Sequence, residues 1–261
     1  QMKLKSKSLA LLLQEIVLIT IRRCTALLTL SAMPVWAVEP VVDYEVSYAA
    51  RETLSTTDND IFGAEIGFNW WQGNTGTRVE LSVGSRVEDE FDSGSLLLGL
   101  EAVRFRDRDL GRLGWGGRID YAEEATTTGE IGMATQGFYD RFSLRAAAGL
   151  QGSLDDVEFS DDGGVFGVAE ATWYPSDALA LRIAIQADGS GELAGFGFEW
   201  QIARSDFSLV AQSAFGIGEY RSSDSYDDLT VAIRYTPGAG SPKRRDRTTG
   251  DQLLKRLVDV Q

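Results

Sequence analysis

Residues 41–236 form a ladder of about twelve short segments in which apolar and polar residues alternate. An alternation with a period of two is typical of β-strands, because successive side chains point to opposite faces of a sheet. Long connections, acidic or rich in Ser and Thr, fall near 52–60, 88–95, 123–130, 152–164 and 218–228, with a shorter one near 187–192, and short connections fall at 72–77, 106–112, 137–140, 174–178 and 202–206. A soluble sandwich has no reason to sort its turns in this way, whereas a barrel threaded up and down between two different compartments does.

Eight of the segments have a clear apolar face and a clear polar face, whereas the fourth, sixth, eighth and eleventh alternate less cleanly. Each segment is about ten residues long, the length that a tilted strand needs to cross a bilayer. The polar face carries charges of both signs near mid-segment. The candidate lumen-lining residues are Glu65, Glu80, Glu101, Arg118, Arg145, Glu170, Arg182 and Glu199. In a water-soluble barrel this face would point outward, and in a membrane barrel it would line the lumen. Periodicity alone does not separate the two cases.

Aromatic residues gather near the segment ends. If the N-terminal end of the ladder is periplasmic, most of them fall at the ends that carry the short connections. The candidate aromatic belt consists of Trp70, Trp71, Trp115, Trp173, Tyr174, Trp200 and Tyr235. Amphipathic rings of this kind favour the interface between a membrane and water. The alternative is that aromatic residues flank turns in any β-protein.

The N-terminus has the features of an export signal. Lys3, Lys5 and Lys7 precede one apolar run, and a second apolar stretch follows and ends at Val35-Trp36-Ala37. Small or β-branched residues before a cut are what a signal peptidase requires, so we predict a cleaved signal peptide over residues 1–37. The alternative is a retained anchor helix, but charged residues interrupt the run.

The closing segment, 228–235, alternates strictly and ends in an aromatic residue. With the signal peptide, the even number of segments, the belts and the sorted connections, it makes residues 41–236 resemble the Gram-negative outer-membrane β-barrel proteins. The resemblance implies an all-β, antiparallel, up-and-down transmembrane barrel over residues 38–236, with about 12 strands and a range of about 10 to 14. It also implies an outer-membrane location, with membrane lipid and the barrel-insertion machinery as partners.

Residues 237–261 differ in composition from the ladder. Lys243, Arg244, Arg245 and Arg247 form a basic cluster, and apolar residues at helical spacing follow it. This pattern predicts a basic, partly helical, periplasmic tail. The tail could plug the lower mouth of the barrel or bind an acidic partner, and the alternative is a frayed, solvated end.

Residue types that many sites require are missing. The chain has no histidine, and its one cysteine, Cys24, lies in the predicted leader. The resemblance makes this informative, because the outer-membrane barrel lipases, acyltransferases and proteases use a histidine. We therefore predict no enzyme activity, no catalytic residue, no cofactor and no His or Cys metal site. A net formal charge of -14 also argues against nucleic-acid binding.

Acidic clusters near 88–92, 155–162 and 224–228 are candidate sites for divalent cations, although they lack the spacing of a twelve-residue calcium loop. The alternative is that they are solvated acidic loops. The leading hypothesis is a non-enzymatic narrow pore or structural barrel with acidic outer loops, and the acidic mouths predict a preference for cations. Two other hypotheses stay open: a soluble periplasmic β-barrel or sandwich that binds a small apolar ligand, and a surface adhesion or interaction protein.

Overall fold

The computed structural model describes residues 41–53, 59–88, 94–123, 127–154, 164–189, 191–203, 205–217, 226–238, 240–249 and 255. The predicted signal peptide, most of the acidic clusters and the apolar residues of the tail lie outside the described residues.

The described residues form twelve strands, and neighbouring strands along the chain pair in antiparallel fashion. The strands are β1 (Val41–Thr53), β2 (Asn59–Gln72), β3 (Thr75–Glu88), β4 (Gly94–Arg108), β5 (Gly111–Ala122), β6 (Thr128–Phe138), β7 (Phe142–Ser153), β8 (Gly164–Ser176), β9 (Leu179–Asp188), β10 (Gly191–Gln201), β11 (Phe207–Gly216) and β12 (Tyr226–Tyr235). The last strand pairs with the first, with Tyr44 opposite Tyr235, so the sheet closes into a barrel. This confirms the predicted all-β, up-and-down barrel of about 12 strands.

The two rims of the barrel differ in their connections. At the rim that we call the short-turn rim, the connections are 73–74, 109–110, 139–141, 177–178 and 202–206. At the opposite, long-loop rim they are 54–58, 89–93, 123–127, 154–163, 189–190 and 217–225. The turn after β2 contains Gly73 at a φ of 62°, a conformation that glycine adopts without steric cost and that tight hairpins require.

The barrel is apolar on the outside and charged on the inside. Along β9, Ile183 is 66% exposed, whereas the next residue on the chain faces the interior. Buried polar residues on other strands include Arg78, which is 3% exposed, and Glu199, which is fully buried. This orientation is the reverse of a water-soluble barrel, so the structure answers the question that periodicity left open.

Small and aromatic residues fill part of the interior. Val103 and Phe105 of β4 pack with Phe166 of β8 and with alanines of β6 and β7. The Phe105 ring lies over Gly76 of β3, where any Cβ atom would collide with it. Glycine at this position therefore lets an aromatic ring from the neighbouring strand fill the space.

A short helix follows the last strand. α1 (Pro242–Thr248) begins after Ser241, whose Oγ accepts a hydrogen bond from the Arg244 backbone N–H (3.4 Å). A serine cap followed by proline at the first helical position is a common start signal. No helix among the described residues has the length and apolar character needed to cross a bilayer.

Candidate functional site in the barrel lumen

The structure places all eight candidate lumen residues on the inward face of the wall. The buried ones are Glu80, Glu101, Arg145, Arg182 and Glu199, and the half-buried ones are Glu65, Arg118 and Glu170. Their strands reach from β2 to β10, so the charges surround most of the lumen. The interior is therefore a polar surface of both signs, and not an apolar cavity.

Neighbouring strands bring several of these charges together. Arg145 of β7 donates from Nη2 to Glu170 Oε2 of β8 (3.1 Å). Arg182 of β9 donates from Nη2 to Glu199 Oε2 of β10 (3.1 Å). Glu101 lies opposite Arg118 in the pairing of β4 with β5. Opposite charges at facing inward positions compensate part of the cost of removing each charge from water.

Glu199 is the centre of a larger group. Its carboxylate accepts hydrogen bonds from Arg182, from Arg234 of β12 (Nη1 to Oε2, 3.3 Å) and from Arg245 of α1. Arg245 reaches both carboxylate oxygens and is 2% exposed. Such two-pronged pairing of guanidinium with carboxylate is the strongest hydrogen-bonded ion pair that side chains form.

Arg234 extends this group to the first strand. Its Nε donates to Glu45 Oε2 of β1 (2.5 Å), across the pairing that closes the barrel. A second group lies beside it, where Arg78 of β3 pairs with Asp43 of β1 (2.8 Å) and with Glu80. Ion pairs thus link β1, β3, β10 and β12 on the inner wall.

The C-terminal segment lies inside the barrel. We call residues 240–249 and Lys255 the lumenal segment. Within it, Asp246 accepts hydrogen bonds from Ser143 Oγ (3.0 Å) and from the Tyr174 hydroxyl, and the side chains of Arg245 and Asp246 are buried. The described part of the tail is therefore not the solvated end that the sequence left as an alternative.

Contacts at the short-turn rim hold the first and the last turn of the helix. Lys243 Nζ lies 3.6 Å from Asp140 and 3.5 Å from Asp177, each in a short turn. Arg247 donates to the backbone carbonyls of Tyr139 and Asp140. Both turns of the helix therefore lie at the mouth of the lumen on this rim.

Arg112 of β5 receives the end of the helix. It donates to the backbone carbonyls of Arg247 (3.0 Å) and Thr249, which α1 leaves without helical partners. The guanidinium also pairs with Asp107 (2.7 Å) and lies 4.3 Å from the centre of the Phe105 ring. A cation at a helix C-terminus is favoured by the helix dipole, and the ring adds a cation–π contact.

Lys255 bridges opposite walls. Its carbonyl accepts a hydrogen bond from Arg145 of β7 (2.6 Å), and its Nζ lies 3.3 Å from Glu65 of β2 and 3.8 Å from Glu45 of β1. In a closed ring of twelve strands, β7 lies opposite β1. Burial lowers the pKa of Lys255, but the two glutamates outweigh this and raise it above its usual value.

Little space is left around this lysine. A cavity of about 10 Å³ lies beside it, which is room for about one water molecule. Its lining residues are Asp43, Glu45, Glu65, Gly67, Arg78, Glu80, Arg234 and Lys255. Among the described residues, no group of three or more Asp, Glu, His or Cys side chains is placed to hold a metal ion.

Two members of the predicted aromatic belt face the lumen. Trp71 packs against Phe105 in an edge-on contact, and Tyr174 is buried at Asp246. Each follows another belt candidate directly along the chain, and neighbouring residues of a strand point to opposite faces. Only one residue of each pair can face outward, so these two predictions are wrong.

The other five belt candidates alternate onto the outer face. Trp115 is 59% exposed, Trp173 and Trp200 are also exposed, and Trp70 and Tyr235 are half-buried.

The sequence prediction missed several residues of this site. Glu45, Arg112 and Arg234 belong to inward faces of the alternating segments but were not among the chosen charges, and Arg112 and Arg234 lie next to the terminal residue of their strands. Their position in the alternation was the available signal. Arg245 was noted only as part of a basic cluster, and nothing local indicates its partner Glu199.

No family model and no curated protein sequence matches the chain. Solved structures with a similar fold include the KdgM porin (TM-score 0.52, 6% identity, 74% of this chain and 98% of that chain) and the NanC porin (TM-score 0.52, 7% identity, 74% and 99%). Outer membrane phospholipase A from Escherichia coli is also similar (TM-score 0.51, 11% identity, 77% and 92%). At such identities the likeness concerns the fold alone. The chain has the fold of the outer-membrane β-barrel proteins.

Proposed function

We propose that the protein is an integral outer-membrane β-barrel without enzyme activity, whose ion-paired lumen is a narrow pore. The observation that carries this proposal is the orientation of the wall. Bulky apolar side chains such as Val46, Val165 and Ile183 are exposed on the outside, and charged residues line the inside. Exposed apolar surface of this extent on a closed barrel is suited to lipid.

The fold comparisons are consistent with this function. Two of the similar structures are named as porins, and a third is named as a phospholipase, so the fold itself does not decide between transport and catalysis. The absence of histidine favours transport, because it removes the general base most often used in catalysis. Outer-membrane lipid and the barrel-insertion machinery are the partners that this proposal requires.

The pore is proposed to prefer cations. The chain carries an excess of acidic residues, and negative charge at a channel mouth raises the local concentration of cations. The acidic loops, also proposed as binding sites for divalent cations, would supply this charge. Reversal potentials measured in a salt gradient test the preference, and a potential that favours chloride contradicts it.

Membrane fractionation with a gel-shift assay tests the proposal itself. We expect the protein to require detergent for extraction and to migrate differently on a denaturing gel before and after boiling, because a closed barrel resists unfolding by detergent. A protein that is recovered without detergent and shows no shift would contradict the membrane assignment. It would favour the soluble alternative, which the charged interior does not support as a site for an apolar ligand.

A further inference from the structure

We propose that the lumenal segment is a plug that closes the pore. The barrel wall is expected to stay folded when this plug is displaced. This inference rests on the proposed pore function. It goes beyond that function because it assigns the closed state to one segment of the chain and to named ion pairs.

The segment crosses the lumen from the rim to the far wall. Lys243 lies at the short-turn rim, and other residues of α1 contact β5, β7, β8 and β10. Lys255 then contacts β7 with its carbonyl and β1 and β2 with its ammonium group. A segment that touches opposite sides of a closed ring occupies the path that a solute would take.

The wall retains its own ion pairs without the segment. Glu199, which binds Arg245, is also paired with Arg182 and Arg234. Glu45, which lies near Lys255, is also paired with Arg234.

The same holds for the arginines that bind the backbone of the segment. Arg145, which binds the Lys255 carbonyl, is also paired with Glu170. Arg112, which binds the end of the helix, is also paired with Asp107. Removal of the segment therefore leaves none of these four wall residues as a buried, uncompensated charge.

These second partners distinguish a displaceable plug from a segment that the barrel needs for folding. If the segment were the only partner of the wall charges, its departure would leave isolated charges at high cost, and the barrel would need it to fold. Because each of these four wall residues has a second partner in the wall, the cost of departure at these positions is limited to the contacts of the segment itself. The segment is also cationic where it meets Glu199, Glu45 and Glu65, so it occupies positions that a permeating cation would use.

The link between the barrel and the segment suits a hinge. Gly238 and Gly240 have φ values of 71° and 73°, between the end of β12 and the start of α1. Glycine adopts this left-handed conformation without strain, and residues with this freedom absorb large changes of chain direction. The segment can therefore move as a unit about Gly238 and Gly240.

Conductance of the full chain and of point variants in planar bilayers tests the plug. Arg245→Ala removes the two-pronged contact with Glu199, and we expect open probability to rise about tenfold or more, since charge-assisted hydrogen bonds change equilibrium constants by about that factor. The matched control is Arg244→Ala, because Arg244 is exposed on the same helix. We expect the control to conduct like the unchanged chain. A chain that ends at Gly238 lacks the plug, so each inserted barrel should stay open continuously.

A cysteine pair in the full chain tests the position of the segment by disulfide formation, and then links that position to the closed pore. Ser143 and Asp246 are in side-chain contact, so S143C with D246C, in a chain with Cys24 replaced by serine, should form a disulfide on mild oxidation. The control pair is L144C with D246C, because Leu144 faces outward. Oxidation should hold the S143C–D246C pore closed, and reduction should restore openings.

The outcomes separate this inference from the proposed function. Failure to insert into membranes would overturn the pore function and the plug together. A barrel that shows the gel shift, with equal conductance for the unchanged chain and Arg245→Ala, would overturn the plug and leave the membrane barrel standing. If the truncated chain fails to fold, the inference that the wall is self-sufficient is wrong, and the cysteine pair still reports whether the segment lies inside.

Discussion

The two ends of the lumenal segment are held by ion pairs that differ in burial. At Glu199 and Arg245 the two side chains are 0% and 2% exposed, and two wall arginines contact the same carboxylate. At Lys255 and Glu65 the side chains are 26% and 20% exposed. Water screens the second ion pair and not the first, so the two ion pairs are expected to contribute unequally to the free energy that holds the segment. The helix end of the segment is expected to be the strong attachment.

The largest effect is expected at the centre of the buried group. Glu199→Ala removes the carboxylate that Arg182 binds, and an uncompensated buried charge of this kind costs about 3–5 kcal/mol. The free energy of unfolding, measured by urea titration in lipid vesicles, should fall by about that amount. Glu192→Gln is the control, because Glu192 is exposed on the same strand. An equal loss of unfolding free energy in both variants would contradict the expectation that the buried group is the strong attachment.

A smaller loss is expected at Tyr174. Tyr174→Phe removes the hydroxyl that donates to the buried carboxylate of Asp246, for an expected cost of about 1–3 kcal/mol. Protection of the segment from added protease should decrease in parallel. Tyr139→Phe, at an exposed tyrosine of the same rim, should change neither quantity. Unchanged protection in Tyr174→Phe would mean that this contact does not hold the segment.

The exposed attachment should contribute less. Lys255→Met is expected to cost about 0.5–1 kcal/mol, and salt should reduce the difference because the pair is partly solvated. The pKa of Lys255 is raised in the folded chain, so the contribution is fully present below the unfolded value of about 10.4 and is lost only as pH rises above it. The difference between the two chains should therefore stay constant from about pH 7 to pH 10. A difference that disappears within this range would contradict the raised pKa.

The smallest effect is expected at the rim. Lys243 lies near Asp140 and Asp177, whose side chains are largely exposed. Ion pairs of this kind contribute between about 0 and 1 kcal/mol, so Lys243→Ala should be close to the unchanged chain in urea titration. A loss of unfolding free energy as large as that of Tyr174→Phe would show that solvent exposure does not determine how much each contact contributes to stability.

The alternation of the segments, together with the sorted connections, predicted the barrel and divided the residues of each strand between two faces. It assigns Arg182 and Glu199 to the polar face without any knowledge of their partners, because the side-chain period of a strand is two, but the structure was needed to show that this face is the inner one. The belt error at Trp71 arose because the candidates were chosen by distance from the strand ends, without checking which face each residue occupies.

The position of the lumenal segment could not be predicted in the same way. The pairing of Arg245 with Glu199 joins parts of the chain that share no strand and no turn. It depends on the closed ring and on the direction in which the chain leaves β12. The pattern of residues along a strand shows which side chains share a face. It does not show which distant element of the chain will cover that face.

The ion pairs of Arg234 have a consequence for the order of assembly. Pairing of β1 with β12 joins the two ends of the ladder, so it has the greatest sequence separation of any strand pair and is expected to form late. Arg234 binds Glu45 across this seam and also binds Glu199, which holds Arg245. The last step of barrel closure and the capture of the C-terminal segment therefore share one side chain. A nascent barrel is expected to enclose the lumenal segment as it seals, and not to receive it afterwards through a finished mouth.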